Sequence, residues 1–230
     1  MNKRTAVLML GALALVAVAC GSTTKTTTAT TSSSPTTEAP TTLVAPDTLT
    51  AVFPTEASTT RYQDPVAAVT AFATNYAGFV NPVVGPYQGG DSRSGEVEVR
   101  STAAGPVTTV FVRMLGSDNS WWVLGASTPN INLSEPAWFA PISSPVTLKG
   151  TSSAYEGTVS TQVREDDNDQ PLGEGFVTGG SMGMGPFDGT LTFTKPTKEY
   201  GAVVLSTQSQ EGSDAGHTRE IGVLRIRFSS

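Results

Sequence analysis

The sequence predicts a small α+β unit followed by an all-β antiparallel sandwich. Three observations carry this. A single stretch, residues 65–80, has helical spacing of apolar residues. Runs with strand alternation follow it, and from residue 139 to the end no helical period recurs. The turns between the runs are rich in Gly, Asp and Asn, which suits short antiparallel connections.

Before these units lie about 60 residues of a different kind. Lys3 and Arg4 precede an apolar run, Ala6 to Val18, and the small residues Ala17-Val18-Ala19. This is the pattern of an export signal over 1–19. The run has 13 residues, and spanning a bilayer takes about 20, so a permanent membrane helix fits poorly. Cys20, the only Cys of the chain, follows at once with Gly21 and Ser22. The arrangement resembles a bacterial lipobox, in which a signal peptidase cuts before a Cys whose sulfur then carries diacylglycerol. The resemblance implies a palmitate-type acyl anchor on Cys20, at the extracytoplasmic face of a bacterial cell membrane. Two buried acyl chains hold firmly where one is reversible.

Residues 20–60 are expected to form a disordered tether. Ser22 to Thr50 holds 13 Thr, 4 Ser and three Pro, without aromatics or hydrophobic period, so burial cannot offset chain entropy. In the α+β unit, 61–138, Asp64 before Pro65 is a strong helix start. Val66, Val69, Phe72, Ala73, Tyr76, Phe79 and Val80 give one apolar face, and Asn81-Pro82 is expected to end the helix. Glu96 to Arg100, Val107 to Leu115 and Trp121 to Ala126 alternate as a three-stranded meander beneath it.

Residues 139–230 form the sandwich. Tyr155, Val159 and Val163 alternate with polar residues, as do Leu191 and Phe193, and then Leu224, Ile226 and Phe228. Strand-like runs recur at Val146 to Lys149, Leu172 to Val177 and Ala202 to Thr207. Alternation means that each sheet buries one face and wets the other.

Four motifs in this region resemble the immunoglobulin-like domain of bacterial spore germination over residues ~140–230. They are Ser144-Pro145-Val146-Thr147-Leu148-Lys149-Gly150, Ala154-Tyr155-Glu156-Gly157-Thr158-Val159, Gly185-Pro186-Phe187-Asp188-Gly189 and Ser209-Gln210-Glu211-Gly212. The resemblance implies an immunoglobulin-like sandwich exported to the cell envelope. That family accompanies GerMN domains in some envelope lipoproteins, whereas residues 61–138 do not resemble a GerMN domain. No catalytic residues come with the resemblance. In physical terms Gly157 marks a bulge or a close backbone approach, and Phe187, Leu191 and Phe193 face the core.

Composition excludes several functions. Lys+Arg 14 against Asp+Glu 20 gives a net charge of −6, which offers no cationic surface to nucleic acid. One Cys and one His leave no multi-Cys zinc site and no His-rich metal centre. No cofactor is expected. Gly179-Gly180-Ser181-Met182-Gly183 matches G-x-S-x-G, with Asp214 and His217 in hydrolase order. A nucleophile elbow needs a helix after the Ser, and Met182-Gly183-Met184-Gly185-Pro186 cannot start one. The acidic run Glu165-Asp166-Asp167-Asn168-Asp169 fails the EF-hand pattern, with Pro171 at the sixth position and Val177 at the twelfth.

Trp121 and Trp122 are neighbours in a strand, so the pleat sends them to opposite faces. One belongs in the core. The other is exposed, covered by the helix, or buried against the second domain at the junction with Trp138 and Phe139. The alternative is that Trp121, Trp122 and Trp138 offer an aromatic platform for a partner or glycan, bordered by Arg93 and Arg113. The expected function is non-enzymatic: binding or scaffolding of an envelope protein or wall polymer. A peptidoglycan-binding module is the alternative, and a serine hydrolase a distant third. The oligomeric state is left open.

Overall fold

The protein is described here by a computed structural model covering residues 47–210 and 215–229. The export signal, Cys20, the tether up to residue 46, and Glu211, Gly212 and Asp214 lie outside the described residues.

Among the described residues the fold is mostly β, with one α-helix. A short 3-10 turn, Asp47–Thr50, precedes α1 (Pro65–Asn75). Then come β1 (Val83–Gly89), β2 (Ser94–Arg100), β3 (Thr108–Leu115), β4 (Ser120–Ser127), β5 (Ile131–Glu135) and β6 (Pro141–Ile142). β7 (Val146–Ser152), β8 (Thr158–Glu165), β9 (Gly173–Thr178), β10 (Gly185–Leu191), β11 (Tyr200–Gln208) and β12 (Thr218–Phe228) complete the chain. Nine strands make one sheet, in the order β1-β2-β3-β4-β12-β11-β8-β9 with β6 beside β12. β10-β7-β5 make a second sheet.

α1 begins as its sequence dictates. Asp64 Oδ2 accepts a hydrogen bond from the Ala67 N–H at 2.7 Å, and Pro65 occupies the first turn. It ends earlier than the apolar spacing predicts. Gly78 turns left-handed (φ 74°), and the N–H groups of Ala77 and Phe79 close onto Phe72 O and Ala73 O at 2.9 Å. These wide closing bonds and the left-handed glycine stop the helix. Val80, expected on the apolar face, is therefore exposed. Ala68, Val69, Phe72 and Ala73 pack onto Val97, Val99, Val110, Val112, Trp121 and Val123 of the sheet.

On the other face of the large sheet, Leu148, Phe187 and Leu191 of the small sheet meet Val159, Val163, Val203, Leu205 and Ile226. These two layers form a β-sandwich. Phe193 joins this core too. Gly157 is left-handed (φ 72°), and a Cβ there would stand 2.7 Å from Gly179 O, so the strands approach closely at that point. Tyr155 sits in a 3-10 turn ahead of β8 and is exposed, where a strand position was expected.

The division expected at 138/139 is not a break in the sheet. β12 pairs with β4 through Val223 and Ala126. β5, from the expected first unit, is an edge of the sandwich's small sheet. The meander also has a fourth strand, β1, which Gly85 and Pro86 concealed.

Residues 47–60, expected as part of the tether, are instead folded onto β4. Val52 and Phe53 donate to Val123 O at 2.8 and 3.3 Å, and Val123 returns a bond to Phe53 O at 2.6 Å. Trp121 donates to Tyr62 O at 2.7 Å. The short apolar run Ala51-Val52-Phe53 at the end of the Thr-rich stretch explains the docking: Ala51 and Val52 are both buried.

Candidate functional site

A groove of about 360 Å³ runs between β5 and the face of β3, β4 and β12. Leu124, Leu205 and Leu224 lie along its floor strands, Ile131 and Leu133 on β5, and Phe111 and Trp138 at its rim. Phe111 is 40% and Trp138 54% exposed. Ser127 and Asn132 are the only polar side chains in the lining. Phe111 and Leu124 are shared with a shallower hollow that continues past Glu96 and Arg113. Concave, largely apolar surface with exposed aromatics is the form that binding sites take.

Each wall has a local cause. β3 and β4 pair Phe111 with Gly125 and Val112 with Val123, so Leu124 is an extra residue in the register. Such a bulge re-aims a side chain, here toward the groove. Trp138 stands on a turn fixed at several points. Phe139 next to it is left-handed (φ 59°), which is strained for an aromatic residue. Its N–H donates to Arg225 O at 2.8 Å, and its ring stacks on Tyr200 at 5.7 Å. Trp138 and Phe139 are 5.3 Å apart between ring centroids. Beside Ser127, Glu220 is buried and accepts from the Thr128 hydroxyl, from Asn130 Nδ2 at 3.0 Å and from the Thr207 hydroxyl at 2.9 Å. This network ties the β4–β5 turn to β11 and β12.

The three tryptophans do not form one platform. Trp121 (6% exposed) packs under α1 and against Tyr87 at 5.2 Å. Trp122 (1% exposed) lies on the opposite face with Ala51 and Leu115. Its Nε1 donates to Ser120 Oγ at 2.9 Å, and Arg61 covers its ring at 4.8 Å. Residues 51–61 therefore take the covering role expected of the domain junction. Trp138 alone of the three faces solvent at the groove. Arg113 borders the adjoining hollow, while Arg93 donates to Met114 O at 3.1 Å. No sequence pattern marks the other lining residues, because they come from five strands; an outward Phe within the β3 alternation was the one available sign.

The hydrolase pattern has no supporting geometry. Ser181 lies in the turn between β9 and β10, a strand–turn–strand setting without a helix, and His217 is exposed. The acidic loop is internally paired. Asp166 forms a two-pronged ion pair with the buried Arg225 at 2.6 and 2.8 Å. Asp167 accepts from Thr55 and pairs with Lys198. Burial disfavours the Glu165 carboxylate, but bonds from Thr197, Asn168 and Lys198 outweigh it and hold its pKa below the usual value. No group of three or more His, Cys, Asp or Glu among the described residues is placed to hold a metal, and no described helix is long and apolar enough to cross a membrane.

Residues 130–214 match the immunoglobulin-like domain of bacterial spore germination. The match begins at the turn before β5, so it takes in the whole small sheet. No curated protein and no solved structure matches the chain.

Proposed function

We propose that this chain is a lipid-anchored protein of a bacterial envelope that binds a partner without catalysing a reaction. In this reading diacylglycerol on Cys20 holds it at the outer face of the membrane, and the groove beside Trp138 receives an apolar segment of another envelope protein. The observation that carries the reading is the groove itself: exposed Phe111 and Trp138 over an apolar floor, with two polar side chains in the lining. An immunoglobulin-like domain over residues 130–214 supports a binding or scaffolding role. The half-exposed indole of Trp138 also suits stacking on a sugar ring, which favours wall polymer as the second reading.

The test is photo-crosslinked capture from intact envelopes, compared between the native chain and Trp138→Ala. Truncating an aromatic anchor at a binding centre reduces affinity ~30-fold or more. The expected result is loss of the captured species with an unchanged melting temperature. Capture that is indifferent to Trp138 refutes the groove, and saturable binding to purified peptidoglycan moves the assignment to the second reading. Incorporation of a fatty-acid analogue at Cys20 checks the anchor.

A further inference from the structure

β4 and β12 pair only at Ala126 and Val223, and they separate toward Val123 and Arg225. Residues 49–53 fill the opening. Their backbone pairs with Val123 on one side, and on the other Arg225 Nε donates to Leu49 O at 2.9 Å. They occupy a seam between the two strands.

One line of contact reaches the floor. Ala51 packs in one cluster with Leu115, Trp122 and Leu124, and Leu124 is the bulged residue lining the groove. A second line reaches the rim. The Arg225 guanidinium, held by Leu49 O and Asp166, lies over Tyr200 at 5.3 Å. Tyr200 stacks on Phe139, whose N–H is held by Arg225 O, and Phe139 carries Trp138 beside it. The Phe139 backbone is strained (φ 59°), so it keeps this shape only while its surroundings enforce it.

We propose that residues 47–53 are a strap that controls the groove. Seated, they hold Leu124 on the floor and, through Arg225 as a positioning residue, keep Trp138 at the rim. Lifted, they release both, and the groove loses its form while the sandwich core stays intact. The strap is a peripheral segment with a few backbone bonds, the kind of unit that opens locally before the whole fold does. It directly follows the segment expected to tether the chain, so anything that pulls or binds that segment acts on the strap first. This inference rests on the reading of the groove as the binding site.

Amide hydrogen exchange on the full chain in detergent tests it, with no ligand required. Ala51→Asp places a carboxylate beside Trp122 and unseats the strap. The expected result is exchange ~10-fold faster or more at Val123–Gly125 and Phe139, with β7 and β10 amides within ~2-fold of native. Faster exchange at Val52 and Phe53 alone, with Phe139 unchanged, overturns the proposal. If all amides accelerate together, Arg225→Lys decides. Lysine keeps the charge against Asp166 but lacks the fork that also reaches Leu49 O. Selective acceleration at Val52, Phe53 and Phe139 together then supports the strap, and acceleration at Phe139 without Val52 and Phe53, or at none of them, refutes it. Because exchange is read without a partner, a responsive Phe139 in a protein whose capture ignores Trp138 retains the strap and rejects the binding reading.

Discussion

Strands β1 to β4 and strands β11 and β12 belong to one sheet, yet their faces are treated differently. α1 covers one face of the first group, and Phe111 and Arg113 project from the other into solvent. β11 and β12 are covered on both faces: Ala202, Val204, Ile221 and Val223 look toward α1, and Val203, Leu205 and Ile226 toward the small sheet. The first group, whose second face is covered only around Trp122 by residues 51–61, retains a surface for binding. The half covered twice joins the two cores, and its Ala202-Val203-Val204-Leu205 run lacks the alternation that a one-faced strand requires.

If shared strands make the two cores one cooperative unit, core deletions on either side have the same consequence. Phe72→Ala beneath α1 and Leu148→Ala in β7 each remove a fully buried side chain, at a cost of ~2–5 kcal/mol. Both variants are expected to show one calorimetric transition, shifted down as a whole. Two separated transitions would make the halves independent domains.

A smaller effect tests the contact between α1 and the sandwich half. Burial pushes the Tyr76 phenol up to about 12, partly offset by Arg164, whose guanidinium lies over the ring at 5.0 Å and donates to Tyr76 O at 2.8 Å. The fold favours the neutral phenol. Its contribution is therefore complete below pH about 10 and lost as pH rises toward 12. Urea unfolding is expected to weaken by roughly 1–2 kcal/mol over that interval, and Tyr76→Phe to remove this share of the pH dependence. An unchanged alkaline slope in Tyr76→Phe would place the phenol in water.

The smallest effect belongs to the open face. Phe111→Ala is expected to change stability by less than ~0.5 kcal/mol, since Phe111 is a surface residue on an uncovered face. A loss comparable to Leu148→Ala, measured by the same denaturation, would mean that this face is a core and that the contrast fails.

The parts of the fold legible in the sequence are those governed by local periodicity. Val97 and Val99, Val110 and Val112, and Val159 and Val163 alternate, and their strands follow. β1 escaped because Pro86 and Gly85 interrupt it, which an edge strand tolerates. The export signal and the Cys20 anchor are sequence patterns outside the described residues. The groove's only legible marks were Trp138 and the outward Phe111. Phe111, Leu133 and Leu224 are far apart along the chain, and only pairing register brings them together. The strap was hidden by composition: Thr48 and Thr50 continue the Thr-rich stretch, and three apolar residues are too few to show a period. Arg225 looked like the wet side of an alternating strand, whereas Asp166 and Leu49 O pair it inside.

The glycines around Ser181 bear on inheritance as well as on shape. A side chain at Gly179 would collide with Ser152, and one at Gly180 with Gly183. The tight crossing between two sheets thus leaves no room for a side chain at these two positions, whatever stands at the serine. A side chain at Gly183 would meet nothing, so only the first half of the esterase-like signature is a by-product of crowding, and the serine and the last glycine are free to change.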